Sequence, residues 1–499
     1  MNEMANSGAA LTQVQGKEYS RTMQQLFDNC RAAFCSRQEP SSCAERLQAL
    51  DKLSQALLRQ RQQLVRAVDE DFGGRSVAET LQLELYGLLD EIRYMKKNLR
   101  KWMKPQRVAT NALFRPSRCE IRHQPLGVIG IMGAYNYPLL LTLSPLIGAL
   151  AAGNHALIRP SANTPHTAKA LANLVRGIFP EEFVSVVEPD AGASREFSAL
   201  PFDHLIFTGS APVGRKIMAQ AAANLTPVTL ELGGKSPAII APGYDLQKAA
   251  SEIVFAKFIN AGQTCVAPDY VLVPEALLPA LVEQMQLCLS QSYPALVDNN
   301  DYSRIINAKE YQRLQDWVDQ AEQGGAGVLR FNPREESCGV DNGVFPPTLV
   351  WGCGQDCSLL QEEIFGPVLP LVGYRDLQDA IERVNQLDRP LALYYFDNDK
   401  KRIDTLLAAT LSGGVTINGC VYHVAQHNLP FGGVGASGIG HYHGVYSFEA
   451  FSKKRPVFFA SRWMNTKLMK PPYGRAFAWL IGTLLKRKVS REQLDGYRT

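Results

Sequence analysis

The sequence predicts an α/β protein of two doubly wound blocks. At 499 residues the chain is longer than one ordinary core can fill, so it divides into compact units. After Pro105, short apolar β-type runs alternate with helical stretches, the pattern of parallel strands joined by crossovers. The pair Gly233-Gly234 and the glycine-rich run LPFGGVGASGIGHYHG at 429–444 punctuate the rest, so a second block is expected from near Gly233 to about Tyr422.

In chain order, residues 1–20 are polar and rich in small residues, and a frayed tail is expected there. Leu50, Leu53, Leu57, Leu64 and Val68 recur at helical spacing and predict an amphipathic helix over 44–68. A second helical stretch spans 78–102. Its basic residues Lys96, Lys97, Arg100 and Lys101, with Lys104 beyond, read as a solvated face rather than an anion site. Strands are expected at 126–132, 156–158, 183–187 and 204–207. The apolar stretch 138–152 predicts a helix, and Thr164-Pro165 supplies an N-cap and first residue for another. At the end, AFAWLIGTLL (476–485) precedes Lys486-Arg487-Lys488. Ten residues are too few for a bilayer that needs about 20, so no transmembrane segment is expected. The run reads as a helix docked on the protein or a partner subunit, with peripheral membrane contact as the alternative.

Composition narrows the function. With 52 Lys+Arg against 48 Asp+Glu, the net charge of +4 argues against a nucleic-acid binder. Ten cysteines include no CxxC pair, and Cys338, Cys353 and Cys357 have no histidine nearby, so no metal is expected. The N-terminus lacks a continuous apolar signal segment, and a reducing cytoplasm is the expected location.

Three motifs carry chemistry. In HLIFTGSAPVGRKIM a strand runs into Thr208-Gly209-Ser210 and a helix begins near Val213-Gly214, a turn whose N–H groups and helix dipole suit a diphosphate. The same pattern also occurs as a plain tight connection. Glu231-Leu232-Gly233-Gly234-Lys235 presents a carboxylate that burial could turn into a general base. Asn260-Ala261-Gly262-Gln263-Thr264-Cys265 displays one cysteine in a loop of small residues, accessible as a nucleophile.

Together with Asn136-Tyr137-Pro138 and Glu362-Glu363-Ile364-Phe365-Gly366-Pro367, these motifs follow the order of the aldehyde dehydrogenase superfamily, which the chain resembles over nearly its whole length. The ending LPFGGVGASGIGHYHGVYSFEAFSKKRPV is similar to the class 3 branch, which takes aromatic and fatty aldehydes. FGGRSVAETLQLELYGLLDEIRYMKKNLRKWMKPQR is similar to its bacterial coniferyl aldehyde dehydrogenase members.

The resemblance implies Cys265 as nucleophile, Glu231 as base for thioester hydrolysis, and Asn136 with the Cys265 N–H as oxyanion donors. It assigns Arg159, Ser161, Gly209, Ser210, Val213, Gly214, Glu363 and Phe365 to NAD or NADP. It implies a small-molecule aldehyde as substrate and a homodimer. The implied domains are 21–109 with 126–233 for the dinucleotide and 234–444 for catalysis, with 110–125 and 445–460 as a β oligomerisation element and 461–499 as a helical tail.

Two departures matter. Arg159-Pro160-Ser161-Ala162 stands where the family usually has Lys-Pro-Ser-Glu. Ala162 removes a carboxylate that would repel a 2′-phosphate, and Arg159 offers a bidentate partner, so NADP use is expected. Asn418-Gly419 replaces the Asn-Asp common in class 3 and weakens transfer of substrate identity. The rival readings are a CoA-acylating aldehyde dehydrogenase, from which Glu231 argues away, and a non-catalytic binding homologue.

Overall fold

The computed structural model describes residues 22–187, 193–354, 356–464 and 470–486. The expected frayed tail at 1–20 lies outside the described residues, as does the basic end of the C-terminal tail beyond Lys486. Two compact units emerge, Met1–Trp102 with Gln124–Lys453, and Met103–His123 with Lys454–Thr499.

The larger unit contains two sheets. One has six strands in the order Gly438–Ile439, Val228–Glu231, His204–Thr208, Val128–Met132, His155–Arg159 and Val184–Val186. All pair in parallel except the first. The strands at 128–132, 155–159 and 204–208 are buried at every position, which is why they read as unbroken apolar runs and not as alternation. Phe197, Phe202, Leu205 and Leu230 fill one side of this sheet. The other sheet has seven strands in the order Gly327–Arg330, Thr348–Trp351, Val368–Tyr374, Tyr270–Pro274, Pro237–Ile240, Ala392–Phe396 and Gly414–Ile417. Ile239, Leu272, Leu393 and Tyr395 centre its core. Helices cross between the parallel strands of both sheets, the doubly wound α/β arrangement expected.

Several elements differ in detail from expectation. The 44–68 helix is two, Cys43–Arg59 and Arg61–Phe72, because Gln60 leaves helical geometry (φ −98°, ψ 10°). The 78–102 stretch contains a π-helix at Thr80–Tyr86 before the Gly87–Trp102 helix. Buried Glu84 in that wide turn accepts the N–H groups of Leu139 and Leu140 at 2.8 and 3.1 Å, and so caps the Leu140–Ala152 helix. Thr164 does precede the Pro165–Arg176 helix, but its side chain makes no capping bond. Asp71 takes the N–H groups of His166 and Thr167 instead, at 2.9 and 2.8 Å. The glycine-rich run is not wholly irregular, since Gly438 and Ile439 pair antiparallel with Glu231 and Leu230. A Cβ at Gly438 would sit 2.4 Å from the Leu230 carbonyl, so only glycine permits that approach.

The smaller unit carries a three-stranded sheet of Gln106–Val108, Arg118–Pro125 and Ser452–Phe459, the first two antiparallel. Phe114 packs edge-on to Phe458, and Arg118 lies 4.0 Å over the Phe459 ring. The Arg475–Leu484 helix buries Ala478 and Gly482 and leaves Trp479 72% exposed. Among the described residues no helix is long and apolar enough to cross a membrane.

Candidate active site

In a doubly wound sheet the strand ends point their following loops into one crevice, and that crevice is where ligands gather. Here Met132 pairs with Arg159 on one side and Phe207 on the other, and Thr208 pairs with Glu231. The strand ends therefore bring together the loops bearing Asn136, Arg159 with Ser161, Gly209 with Ser210, and Glu231. The first turn of the Ala211–Ala222 helix follows Ser210, which caps it with no side-chain bond, and Val213 is 40% exposed there. Ser161 spends its hydroxyl on the Asn163 N–H at 3.2 Å, Ala162 is exposed beside it, and Arg159 is buried at the strand end.

Asn136 and Glu231 are 2% and 3% exposed. The Asn136 Nδ2 and both Glu231 carboxylate oxygens are buried with no hydrogen-bond partner in the protein. Burial raises the Glu231 carboxyl well above its ordinary range.

Cys265 arrives from the other sheet. The Leu246–Phe258 helix ends in a tight turn in which Asn260 (φ 49°) and Ala261 (φ 48°) are left-handed, and the chain reaches Cys265 before the Tyr270–Pro274 strand. Buried Arg75 holds this turn, donating to the Asn260 side-chain oxygen at 2.5 Å and to the Asn136 carbonyl at 2.9 Å. Asn260 Nδ2 donates to the same Asn136 carbonyl at 3.0 Å and to Gln263 O at 3.1 Å, and its backbone N–H donates to Glu79 at 3.0 Å. One network thus fixes the loops of Asn136 and Cys265 against each other. The Tyr137 hydroxyl bonds Thr264 Oγ1 at 2.7 Å, and Tyr394 donates to the Val266 carbonyl, bracing both sides of the cysteine. The Cys265 thiol, partly exposed as a residue, is pushed up to about 12, first by burial and then by the carboxylates of Glu363 and Glu231.

Glu363 follows the short Ser358–Gln361 helix. Its carboxylate lies over Gly233, where a Cβ would come within 2.0 Å of it, and accepts the Gly234 N–H. Burial and then Asp269 push it up to about 8. Phe365, at φ 50°, places its ring 5.8 Å from Tyr135. Asp269 ties the two loops, accepting the Ile364 N–H at 3.1 Å and pairing with Lys235 at 2.5 Å. The glycine cradle under Glu363 and the helix terminus that no side chain caps fit a dinucleotide: backbone N–H groups suit its diphosphate and a carboxylate suits a ribose diol.

Sequence reasoning missed Arg75, Glu79 and Asp269 because each acts through backbone groups far away in the chain. A buried cation beside two asparagines carries no short motif. The polar pair Asn260 and Gln263 amid small residues was the available signal.

A model of the aldehyde dehydrogenase family matches residues 6–457. The chain is 44% identical over 473 residues to a probable coniferyl aldehyde dehydrogenase of Pseudomonas aeruginosa, spanning 95% of this chain and 98% of that protein. It is 38% identical over 429 residues to the dimeric NADP-preferring aldehyde dehydrogenase of Rattus norvegicus, spanning 86% and 92%. A structure of Staphylococcus aureus AldH in a substrate-bound state superposes with a TM-score of 0.88 at 35% identity, over 93% of this chain and all of that one.

Proposed function

Because the chain belongs to the aldehyde dehydrogenase family and is an enzyme oxidising aldehydes, we propose that it converts an apolar aldehyde to the free carboxylic acid with NAD(P)+. The substrate class is aromatic of the coniferyl type, or medium- to long-chain aliphatic, with the Pseudomonas aeruginosa relative favouring the first. The observation that carries the mechanism is the set of buried, unpartnered polar atoms on Asn136 and Glu231 beside the cysteine loop. Buried polar groups in folded proteins are nearly all satisfied, so an unused donor and an unused carboxyl at the strand ends of one sheet call for a reacting partner.

In this reading the Cys265 sulfur adds to the aldehyde carbon, and the oxyanion that forms is met by Asn136 Nδ2 and the Cys265 N–H. Bound NAD(P)+ supplies the hydride acceptor. Glu231 then takes a proton from the water that cleaves the thioester on Cys265, a role suited to a carboxyl whose affinity for protons burial has raised. Glu363 would hold the nicotinamide ribose, Phe365 would pack beside the ring, and Gly209, Ser210, Val213 and Gly214 would receive the diphosphate. Arg159 and Ser161 would serve the adenosine ribose, where Arg159 with Ala162 favours NADP, the dinucleotide that the rat relative is named as preferring. The segments 21–109 and 126–233 form the dinucleotide half and 234–444 the catalytic half. The sheet from 110–125 and 445–460 pairs two copies in a homodimer. Ten free thiols fit a reducing cytoplasm.

A steady-state screen of cinnamyl-type, benzylic and aliphatic aldehydes with both dinucleotides, with product identified by mass, tests this. We expect free acid, best kcat/KM with a cinnamyl-type aldehyde, and NADP at least equal to NAD. Acyl-CoA as the product with CoA present would replace the hydrolytic reading by the acylating one. A clear preference for NAD would remove the role given to Arg159 and Ala162.

A further inference from the structure

Asn136 Nδ2 is buried with no hydrogen-bond partner in the protein, so no bond of its own fixes where it points. Its placement rests on the backbone around it. The Asn136 carbonyl takes Arg75 at 2.9 Å and Asn260 Nδ2 at 3.0 Å. Further along, Pro138 has no N–H to give, and the first backbone donor after Tyr137 is Leu139. Glu84 takes that N–H at 2.8 Å and the N–H of Leu140 at 3.1 Å, both through Oε2.

Glu84 belongs to the same stretch of chain as Arg75 and Glu79. Those two stand four residues apart and pair at 3.6 Å, and Glu79 accepts the Asn260 N–H at 3.0 Å. Glu84 follows Glu79 by five residues, and in α-helical geometry five residues turn the chain about 1.4 times, off the Glu79 face. The π-helix at Thr80–Tyr86 replaces that geometry with i→i+5 bonds, which bring residue i+5 back over residue i. Glu84 is fully buried there, and its Oε1 has no partner in the protein. A carboxyl at a helix start is commonly only a cap. What sets this one apart is that the N–H groups it holds begin three residues from a side chain whose amide nitrogen the protein leaves unbonded.

We propose that Glu84 is a positioning residue for the reaction: by holding the Leu139 and Leu140 N–H groups it sets the Asn136-Tyr137-Pro138 link, and with it the direction of Asn136 Nδ2 toward the oxyanion. This rests on the reading of Asn136 as the oxyanion donor. The role is indirect, exerted through Asn136 alone. A donor of this kind acts on charge that develops during the reaction, so a displacement of about 1 Å costs rate rather than affinity. Without the Glu84 carboxyl the link stays pinned at Asn136 by Arg75 and at Tyr137 by Thr264, and is released at its helical end.

The test is a double-mutant cycle in the full chain, read as the first-turnover rate of NADPH formation from cinnamaldehyde and NADP+ together with the steady-state KM. Glu84→Met fills the volume without an acceptor and should lower that rate about 10- to 50-fold, with KM for cinnamaldehyde within about twofold. Glu84→Gln keeps an accepting oxygen and should recover to about three- to fivefold below the wild type. In an Asn136→Ala background the same Glu84→Met change should cost less than about twofold, because the side chain it positions is gone. An equal cost in both backgrounds, as general loosening would give, overturns the role of Glu84, and so does a Glu84→Met rate within about twofold of the wild type. Should Glu84→Met fail to fold, Glu84→Gln takes its place in the cycle, and either no loss or an equal loss in both backgrounds overturns the proposal. If Asn136→Ala by itself leaves the first turnover unchanged, the oxyanion reading fails and the role of Glu84 falls with it.

Discussion

Asn260, in its tight turn, and the pair Asn136 and Glu231, at the strand ends of the six-stranded sheet, differ in how much of their hydrogen-bonding capacity the protein itself uses. Asn260 spends everything: its side-chain oxygen on Arg75, its amide on Asn136 O and Gln263 O, its N–H on Glu79, and its carbonyl on Gln263 Nε2. Asn136 Nδ2 and the Glu231 carboxyl spend nothing. The saturated region offsets the cost of two consecutive left-handed residues, roughly 1–3 kcal/mol each, and becomes a rigid frame. The unsaturated region keeps its capacity for a partner that arrives with the reaction. Two asparagines of one type, joined at one carbonyl, thus do opposite work.

The largest expected effect lies at the group both regions serve. Cys265→Ala should lower kcat/KM by about 10⁴-fold or more with an unchanged circular dichroism spectrum, since the frame does not depend on the thiol. Appreciable residual turnover would move the nucleophile elsewhere.

On the unsaturated side, Asn136→Ala should cost about 10²–10³ in kcat. Glu231→Gln should cost about 10²–10⁴ and also accumulate acyl-enzyme at Cys265, visible by intact mass. Neither should lower Tm, because neither breaks an existing bond. A fall in Tm would place these residues in the frame.

On the side of the Asn260 turn the order reverses. Arg75→Met leaves Glu79 and two carbonyl-type oxygens without their cation, and denaturant unfolding should show about 3–5 kcal/mol of lost stability. Any change in kcat would follow from loosening of Asn136 and Cys265, not from lost chemistry.

The smallest effect separates burial from function. Glu91 is 3% exposed and, like Glu231, is raised by burial, in its case to about 8. Its folded value lies above its unfolded one, so the stability it contributes is fully present below about pH 4.3 and is lost as pH rises through about 8. Glu91→Gln should therefore flatten the decline in Tm between pH 5 and about pH 8.5, while kcat stays within about twofold. A loss of rate as large as that of Glu231→Gln would mean that burial alone does not distinguish the two.

Helix ends show where local reading stops. The sequence marks the starts at Leu140 and Pro165 well, yet the carboxylates that satisfy them come from Glu84 and Asp71 in other helices. The break at Gln60 is equally silent, since the apolar spacing continues across it. The strand at Gly438–Ile439 is hidden in a glycine-rich run because it forms only where Leu230 allows a backbone with no Cβ to approach.

What the sequence determined by itself is the set of short, contiguous pieces. The buried parallel strands, the glycine turn at 208–210, the pair Gly233-Gly234 and the small-residue loop before Cys265 each follow from neighbouring residue types acting on backbone conformation and burial. Their order along the chain carried the family resemblance and, with it, the chemistry expected of Cys265 and Glu231. What only the tertiary structure decided is which polar groups are used and which are left over. Hydrogen bonding is satisfied by whatever lies within about 3 Å in space, and Arg75, Glu79 and Asp269 reach that distance only after both sheets have formed. The unused atoms of Asn136 and Glu231 are defined by what those residues do not reach.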